Sequence, residues 1–265
     1  LKDRIDSQIL THYPRSLEDA IAITEQEAWV ERDGKSLNIP HYFREIIEHV
    51  AFEARKSEFV DQKSGVSARL TISAMENLVS NAERRAILLK DRVIMPRICD
   101  LPRALPGMTG KIELVFEGEQ EGSVKVSKAL VGKAVREVFK NYFPDPLQRR
   151  QKPHLETRTP PTDSEYQTVI NWFDEGNKVE ISDDLTLDEY FRELDRVKGL
   201  RELTCRHMKI DHNDRHHLAS AMEFVLDGLH QSSRIAKDEV DHITAYKDLV
   251  QSIFTGRGKA YEEEM

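Results

Sequence analysis

Gly65-Val66-Ser67-Ala68-Arg69 opens the helical run over 70–90, and its reading decides how the first half of the chain is organised. Small Gly65 and Ser67 permit a tight turn, and the Ser67 hydroxyl can accept from N–H groups left unpaired where a helix begins. A helix start favours anions through those N–H groups and through its dipole. Arg69, in the first turn, adds a planar fork that holds two phosphate oxygens at once. The stretch therefore reads in two ways: as a phosphate reader, or as a helix cap followed by a surface arginine.

The surroundings of this turn are helical. Before it, Ser16 caps a helix over 17–31, with Ile21, Ala28 and Trp29 at helical spacing, and Asp33-Gly34 breaks it. Pro40 starts a second helix on which Phe43, Ile46, Ile47, Val50 and Ala54 form one apolar stripe. Residues 61–64 are a polar loop leading to Gly65. The third helix, over 68–89, carries Leu70, Ala74, Leu78, Val79, Ala82 and Ala86 on one side. Three helices joined by short loops describe a compact bundle. Ahead of them all, residues 8–13 have strand character, which Pro14 ends.

After the third helix, Pro96, Pro102 and Pro106 punctuate the chain, with a short helix expected within 97–105. Residues 112–117 stay open between helix and strand, because short apolar runs do not separate the two. Residues 126–142 form a helix with Val131, Val135, Val138, Phe139 and Tyr142 on one face. Residues 144–162 hold five prolines, three arginines and hardly an apolar side chain, the composition of a linker. Beyond it, helices are expected over 163–176, 186–198, 211–237 and 240–254, followed by a tail from Gly256. The expected fold is mostly α. Residues 1–16 end a preceding domain, 17–143 form a helical bundle, 144–162 a linker and 163–265 a second helical domain.

Composition narrows the function classes. A net charge of -8 over 265 residues argues against a general nucleic-acid binder. The two cysteines, Cys99 and Cys205, fall in no motif and suggest a reducing, cytoplasmic setting. No apolar run approaches the roughly 20 residues of a membrane span, so no membrane partner is expected. The chain opens abruptly at Leu1, and we read it as a fragment whose upstream part is missing.

Leu1-Lys2-Asp3-Arg4, the strand to Tyr13-Pro14, a helix pair and then Gly65-Val66-Ser67-Ala68-Arg69 resemble the C-terminal part of an AAA+ ATPase module. The branch most resembled is that of the magnesium-chelatase I subunit and MoxR. Glu76-Asn77-Leu78 and Glu83-Arg84-Arg85-Ala86 are similar to its lid helix, and Gly110-Lys111-Ile112-Glu113-Leu114 and Glu117-Gly118-Glu119-Gln120-Glu121-Gly122 are similar to the segment after it. The resemblance covers residues 1–143. It implies that Arg4 is an arginine finger acting in trans across a ring interface. It implies equally that Arg69 is a sensor-2 residue on the phosphates of its own subunit's nucleotide, beside Ser67. ATP and Mg are the implied cofactors of the intact protein. The implied partners are other copies in a homo-oligomeric ring and a protein with a von Willebrand factor A domain. The extension over 144–265 departs from the chelatase pattern, and its role is not implied by the resemblance.

A nucleotide site of this class needs Gly-x-x-x-x-Gly-Lys-Ser/Thr, and the chain lacks it. Gly107-Met108-Thr109-Gly110-Lys111 imitates it, but Leu105 stands in place of the first glycine and Ile112 in place of the hydroxyl. The fragment is therefore expected to be inactive without its parent. A competing reading is a helical protein-interaction module in which Arg4 and Arg69 are surface residues. A third is a zinc site among Cys205, His207, His212, His216, His217 and His230; no Glu lies between His212 and His216, and a polar helix start explains them equally, so no metal is expected. Asp183-Asp184 with Asp188-Glu189 suits a helix N-terminus, the linker's Arg149, Arg150 and Lys152 suit solvent or an acidic partner, and Glu262-Glu263-Glu264 a solvated tail.

Overall fold

The computed structural model describes residues 11–31, 36–147, 162–240 and 242–249. Its elements run α1 (Leu17–Glu27), β1 (Ser36–Leu37), α2 (His41–Ala54), α3 (Arg69–Leu88), β2 (Val93–Ile94), α4 (Leu101–Thr109), α5 (Phe116–Glu121) and α6 (Ser123–Tyr142). They continue through α7 (Thr162–Asp174), β3 (Val179–Ser182), α8 (Leu187–Asp195), α9 (Leu200–Met208), α10 (Arg215–Gln231), β4 (Ala236–Val240) and β5 (Ile243–Lys247). The fold is mostly α, as the periodicity predicts. No described helix is long and apolar enough to cross a membrane.

Ser16 accepts the Asp19 N–H at 3.0 Å and so starts α1 as its residue type predicts. The helix stops four residues short of the expected end, and Trp29 lies outside it, 73% exposed rather than on the buried stripe. The stripes of α2 and α3 are buried without exception. Where α1, α2 and α3 meet, Thr24 donates to Glu48 at 2.5 Å and lies 2.8 Å from the Thr71 hydroxyl. Burial pushes the Glu48 carboxyl up to about 7, against the pull of those two threonines. At the far end of α3, Lys90 takes the left-handed conformation (φ +59°) and the Asp91 N–H turns back to Ala86 at 2.8 Å.

The expected short helix within 97–105 is a 3-10 turn (Ile98–Asp100) continuing into α4, which crosses α3 closely. A side chain at Gly107 would begin 2.5 Å from the Asn77 amide nitrogen and 2.9 Å from the Ser73 carbonyl oxygen. That glycine therefore serves helix packing, which accounts for the false nucleotide-loop pattern around it. Residues 112–117 split between the two alternatives. Ile112 and Leu114 make single antiparallel bridges to Val66 and Val60, and Phe116 then opens α5.

The C-terminal half departs further from expectation. The helix expected over 211–237 is the shorter α10, with β4 beginning at Ala236, and in place of the helix expected over 240–254 the described residues complete the hairpin β4–β5, residues 250–254 lying outside the described residues. Strand β5 pairs on its other side with β3, giving an antiparallel sheet in the order β3-β5-β4, with Val179 opposite Tyr246 and Ala236 opposite Lys247. Val179, Ile181 and Tyr246 turn one face of this sheet inward. The pairing partner lies over sixty residues away, so local spacing could not reveal it.

One core joins both sides of the expected linker. Tyr42 of α2 stacks on Phe224 of α10 at 4.7 Å and bonds the Ser220 hydroxyl at 2.7 Å. Phe139 of α6 meets Phe224 at 5.7 Å and lies directly over Gly228, where a side chain would collide with the ring. Buried residues from both 17–143 and 163–249 thus belong to this one core; residues 148–161 of the linker lie outside the described residues. A buried polar layer crosses the same boundary. Asp100 ion-pairs with Arg85 and accepts from Asn81 and the Arg97 N–H, both at 2.7 Å. Arg97 in turn donates to the Leu185 carbonyl at 2.8 Å and stacks 4.1 Å over Tyr190. Burial disfavours the charge on Arg85, but the Asp100 carboxylate overrides it and the pKa goes up.

Candidate functional site

The start of α3 is built by a ribbon of two irregular segments, residues 57–67 and 111–115. Asp61 shapes the turn: its carboxylate accepts the Lys63 N–H at 2.8 Å and the Ser64 hydroxyl at 2.9 Å, and its carbonyl accepts the Gly65 N–H at 2.9 Å. The bonds from Lys63 and Ser64 hold the Asp61 carboxyl below its usual range. Across the ribbon the Asp61 N–H donates to Glu113 at 2.8 Å and the Ser67 N–H to Lys111 at 3.3 Å.

Gly65 adopts φ +74°, the left-handed region that favours glycine. The Val66 N–H then donates to the Tyr13 hydroxyl at 3.0 Å. The Tyr13 ring is covered on one face by the Arg55 guanidinium, 4.0 Å from its centroid. Ser67 does what its residue type predicts. Its hydroxyl accepts the Arg69 N–H at 3.2 Å, and its carbonyl accepts the Leu70 N–H at 3.0 Å. Helix α3 begins at Arg69.

Beside the turn lies a shallow cleft of about 410 Å³, lined by Tyr13, Ser64–Ala68, Gly110, Lys111 and Glu113. Arg69 follows directly on its last lining residue of the turn and is exposed. Neither the Arg69 guanidinium nor the Lys111 ammonium bonds or ion-pairs with another described side chain. Arg69 and Lys111 thus bring two cations to this helix start, donors of the kind that suit an oxyanion, while the Glu113 carboxylate lines the same cleft. Sequence reading found Ser67 and Arg69 but missed Tyr13, Arg55 and Lys111. Tyr13 is 53 residues from Val66, so nothing local links them; the signal for Lys111 was its place in a segment already singled out.

Arg4 lies outside the described residues. The histidine cluster is dispersed. Cys205 and His212 approach to 3.5 Å, but His207 pairs with Glu165 at 2.7 Å, His217 stacks on Tyr42 and His230 faces the Ile235 carbonyl. Among the described residues no grouping of three or more His, Cys, Asp or Glu side chains is arranged to hold a metal ion. The acidic pairs divide their work. Thr186 and Glu189 form a capping box with Asp188 in the first turn of α8, as their position predicts, whereas Asp183 ion-pairs with Arg84 at 2.6 Å and Arg103 at 3.5 Å. No family model, no curated protein and no solved structure matches the chain.

Proposed function

We propose that this chain is the lid-containing part of a ring-forming AAA+ ATPase of the magnesium-chelatase I-subunit/MoxR-like branch, coupling Mg-ATP hydrolysis to remodelling of a partner protein. The observation that carries the reading is Arg69. It stands in the first turn of α3, exposed and unpaired with other described residues, on a turn whose shape Gly65 and Tyr13 fix. In this reading Arg69 touches the phosphates of its own subunit's nucleotide, Lys111 adds positive potential, and Arg4 reaches the nucleotide of the neighbouring subunit. The donors here are N–H, guanidinium and ammonium groups, which fit phosphate oxygens; the oxygen ligands that Mg²⁺ requires belong to the rest of the ATPase.

Phosphoryl transfer depends on positioning and charge stabilisation, so an arginine on a mobile lid can report whether the γ-phosphate is present. Helix α3 packs against both α2 and α4. A shift at Arg69 would therefore travel into the bundle as a rigid movement rather than dissipate in a loop. The phosphate-binding loop is not among these 265 residues, so turnover is assigned to the intact ring.

The test is ATP turnover by the intact ATPase. Arg69→Ala should lower kcat/KM about 10–100-fold, the worth of a charge-assisted hydrogen bond. Arg69→Lys should recover only part, lacking the fork. Mixing Arg4→Ala with a variant lacking the phosphate-loop lysine should restore turnover that neither has by itself. Undiminished turnover in Arg69→Ala overturns the reading.

A further inference from the structure

A cleft of about 790 Å³ lies on the side of the C-terminal hairpin, between α4, α6, α10 and β4. Its lining includes Lys237, Asp238, Glu239 and Val240, four successive residues of one strand. Alternate strand residues point to opposite faces, so a cleft lying over one face would meet every second residue. Contact with all four means that the cleft runs along the backbone edge of β4. In the order β3-β5-β4 that edge is the outer one, and its N–H and C=O groups bond to no other described element.

The wall facing this edge is apolar, with Leu101 and Leu105 of α4 and Val131 of α6. The charges of the cleft cancel one another. Lys237, only 10% exposed, is held by Asp227 and Glu239 at 3.0 Å each; Lys128 of α6 reaches Glu239 at 2.9 Å, and Lys247 pairs with Asp238. Three cations face three carboxylates, which leaves no net counter-charge for a nucleotide or another polyanion. Among the described residues, what remains open is the main-chain hydrogen bonding of this edge, beside an apolar wall.

We propose that this cleft binds an uncharged, extended peptide segment of a partner protein, which adds to β4 as a fourth strand and sets apolar side chains of alternate positions against Leu101, Leu105 and Val131. Main-chain bonds to β4 supply affinity and the apolar wall supplies selectivity, the division of labour of strand addition. The Lys128–Glu239 pair ties α6 to the edge strand and is solvent-exposed, so it is a weak strap that an arriving strand can displace.

The test uses the full chain and a labelled neutral peptide, acetyl-Thr-Val-Thr-Leu-Thr-Val-Thr-amide, followed by fluorescence anisotropy and by amide hydrogen exchange. The expected result is saturable binding at micromolar concentration with slowed exchange across β4. The same peptide, N-methylated at alternate residues so that one edge cannot donate, should not bind. Leu105→Arg should abolish binding, and Lys128→Ala should strengthen it several-fold. Absence of saturable binding, equal binding of the N-methylated peptide, or binding without protection of β4 overturns the proposal. So does strong protection of β4 before peptide is added. Protection that grows with protein concentration assigns the edge to a second copy, and protection independent of concentration assigns it to the chain's own remaining residues.

Discussion

The Tyr13 hydroxyl accepts the Val66 N–H at 3.0 Å and stands 2.6 Å from the point where a side chain at Gly65 would begin. One oxygen thus both anchors the turn and forbids a Cβ on it. The residue that fixes the approach to Arg69 comes from ahead of α1, 53 positions before Val66.

This arrangement predicts coupling between positions 13 and 65. Tyr13→Phe keeps the ring under Arg55 and loses one hydrogen bond, about 0.5–1 kcal/mol. Gly65→Ala must hold φ +74° with a side chain, about 1–2 kcal/mol, and must also move the hydroxyl. The double variant lacks the colliding oxygen, so it should cost less than the sum of the two. Urea midpoints of the four proteins check this, and strict additivity would contradict the geometry.

Asp100 predicts a larger effect. It is fully buried and receives Arg85, Asn81 and the Arg97 N–H together. Asp100→Ala leaves the Arg85 guanidinium, 3% exposed, without its counter-charge and should cost about 3–5 kcal/mol. Replacing both partners, Arg85→Met with Asp100→Leu, removes the stranded charge and should cost less than Asp100→Ala does. Chemical denaturation of the three proteins tests the order; a single variant milder than the double would show that the ion pair is not what this layer depends on.

Gly228 predicts that the two halves unfold together. Its Cα faces the Phe139 ring at the crossing of α10 and α6. Gly228→Ala should destabilise by about 1–3 kcal/mol through overpacking. Because one core spans α2, α6 and α10, the loss should appear as a shift of a single transition. Two transitions, with only one displaced, would instead restore the division at 144–162.

The stripes of α2, α3 and α6 were legible because each is a long amphipathic helix whose buried positions recur every third or fourth residue. The turn at Gly65 was legible because glycine and serine state their backbone roles locally. The hairpin was not. Val240, Ile243 and Tyr246 fall at helical intervals as well as within two short strands, and only pairing of Tyr246 with Val179 decides between them. The joint core was hidden for the same reason. A proline-rich linker marks a covalent boundary, but whether Tyr42 finds Phe224 across it is settled by packing.

Glu223 gives the last prediction, a dependence of stability on pH. The carboxyl is fully buried in α10, accepts from the Tyr190 hydroxyl at 2.5 Å and from the Ile98 N–H at 2.9 Å through one oxygen, and leaves the other without a partner. Burial pushes it up to about 7, further than Tyr190 and Lys237 pull it down. The folded chain therefore holds a proton that the unfolded chain, near 4.5, releases. Stability from this group is complete below about pH 4.5 and is lost as pH rises through about 7, in the amount of roughly 3 kcal/mol. Glu48, also near 7, acts in the same direction between α1, α2 and α3. Glu223→Gln keeps an acceptor for Tyr190 and Ile98 without an ionisable proton. It should leave stability at pH 5 nearly unchanged and raise it at pH 8, flattening the profile between them. Urea unfolding of both proteins from pH 5 to 8 measures this directly; parallel profiles would mean that Glu223 does not titrate in that window and that the unpartnered oxygen carries no pH-dependent cost.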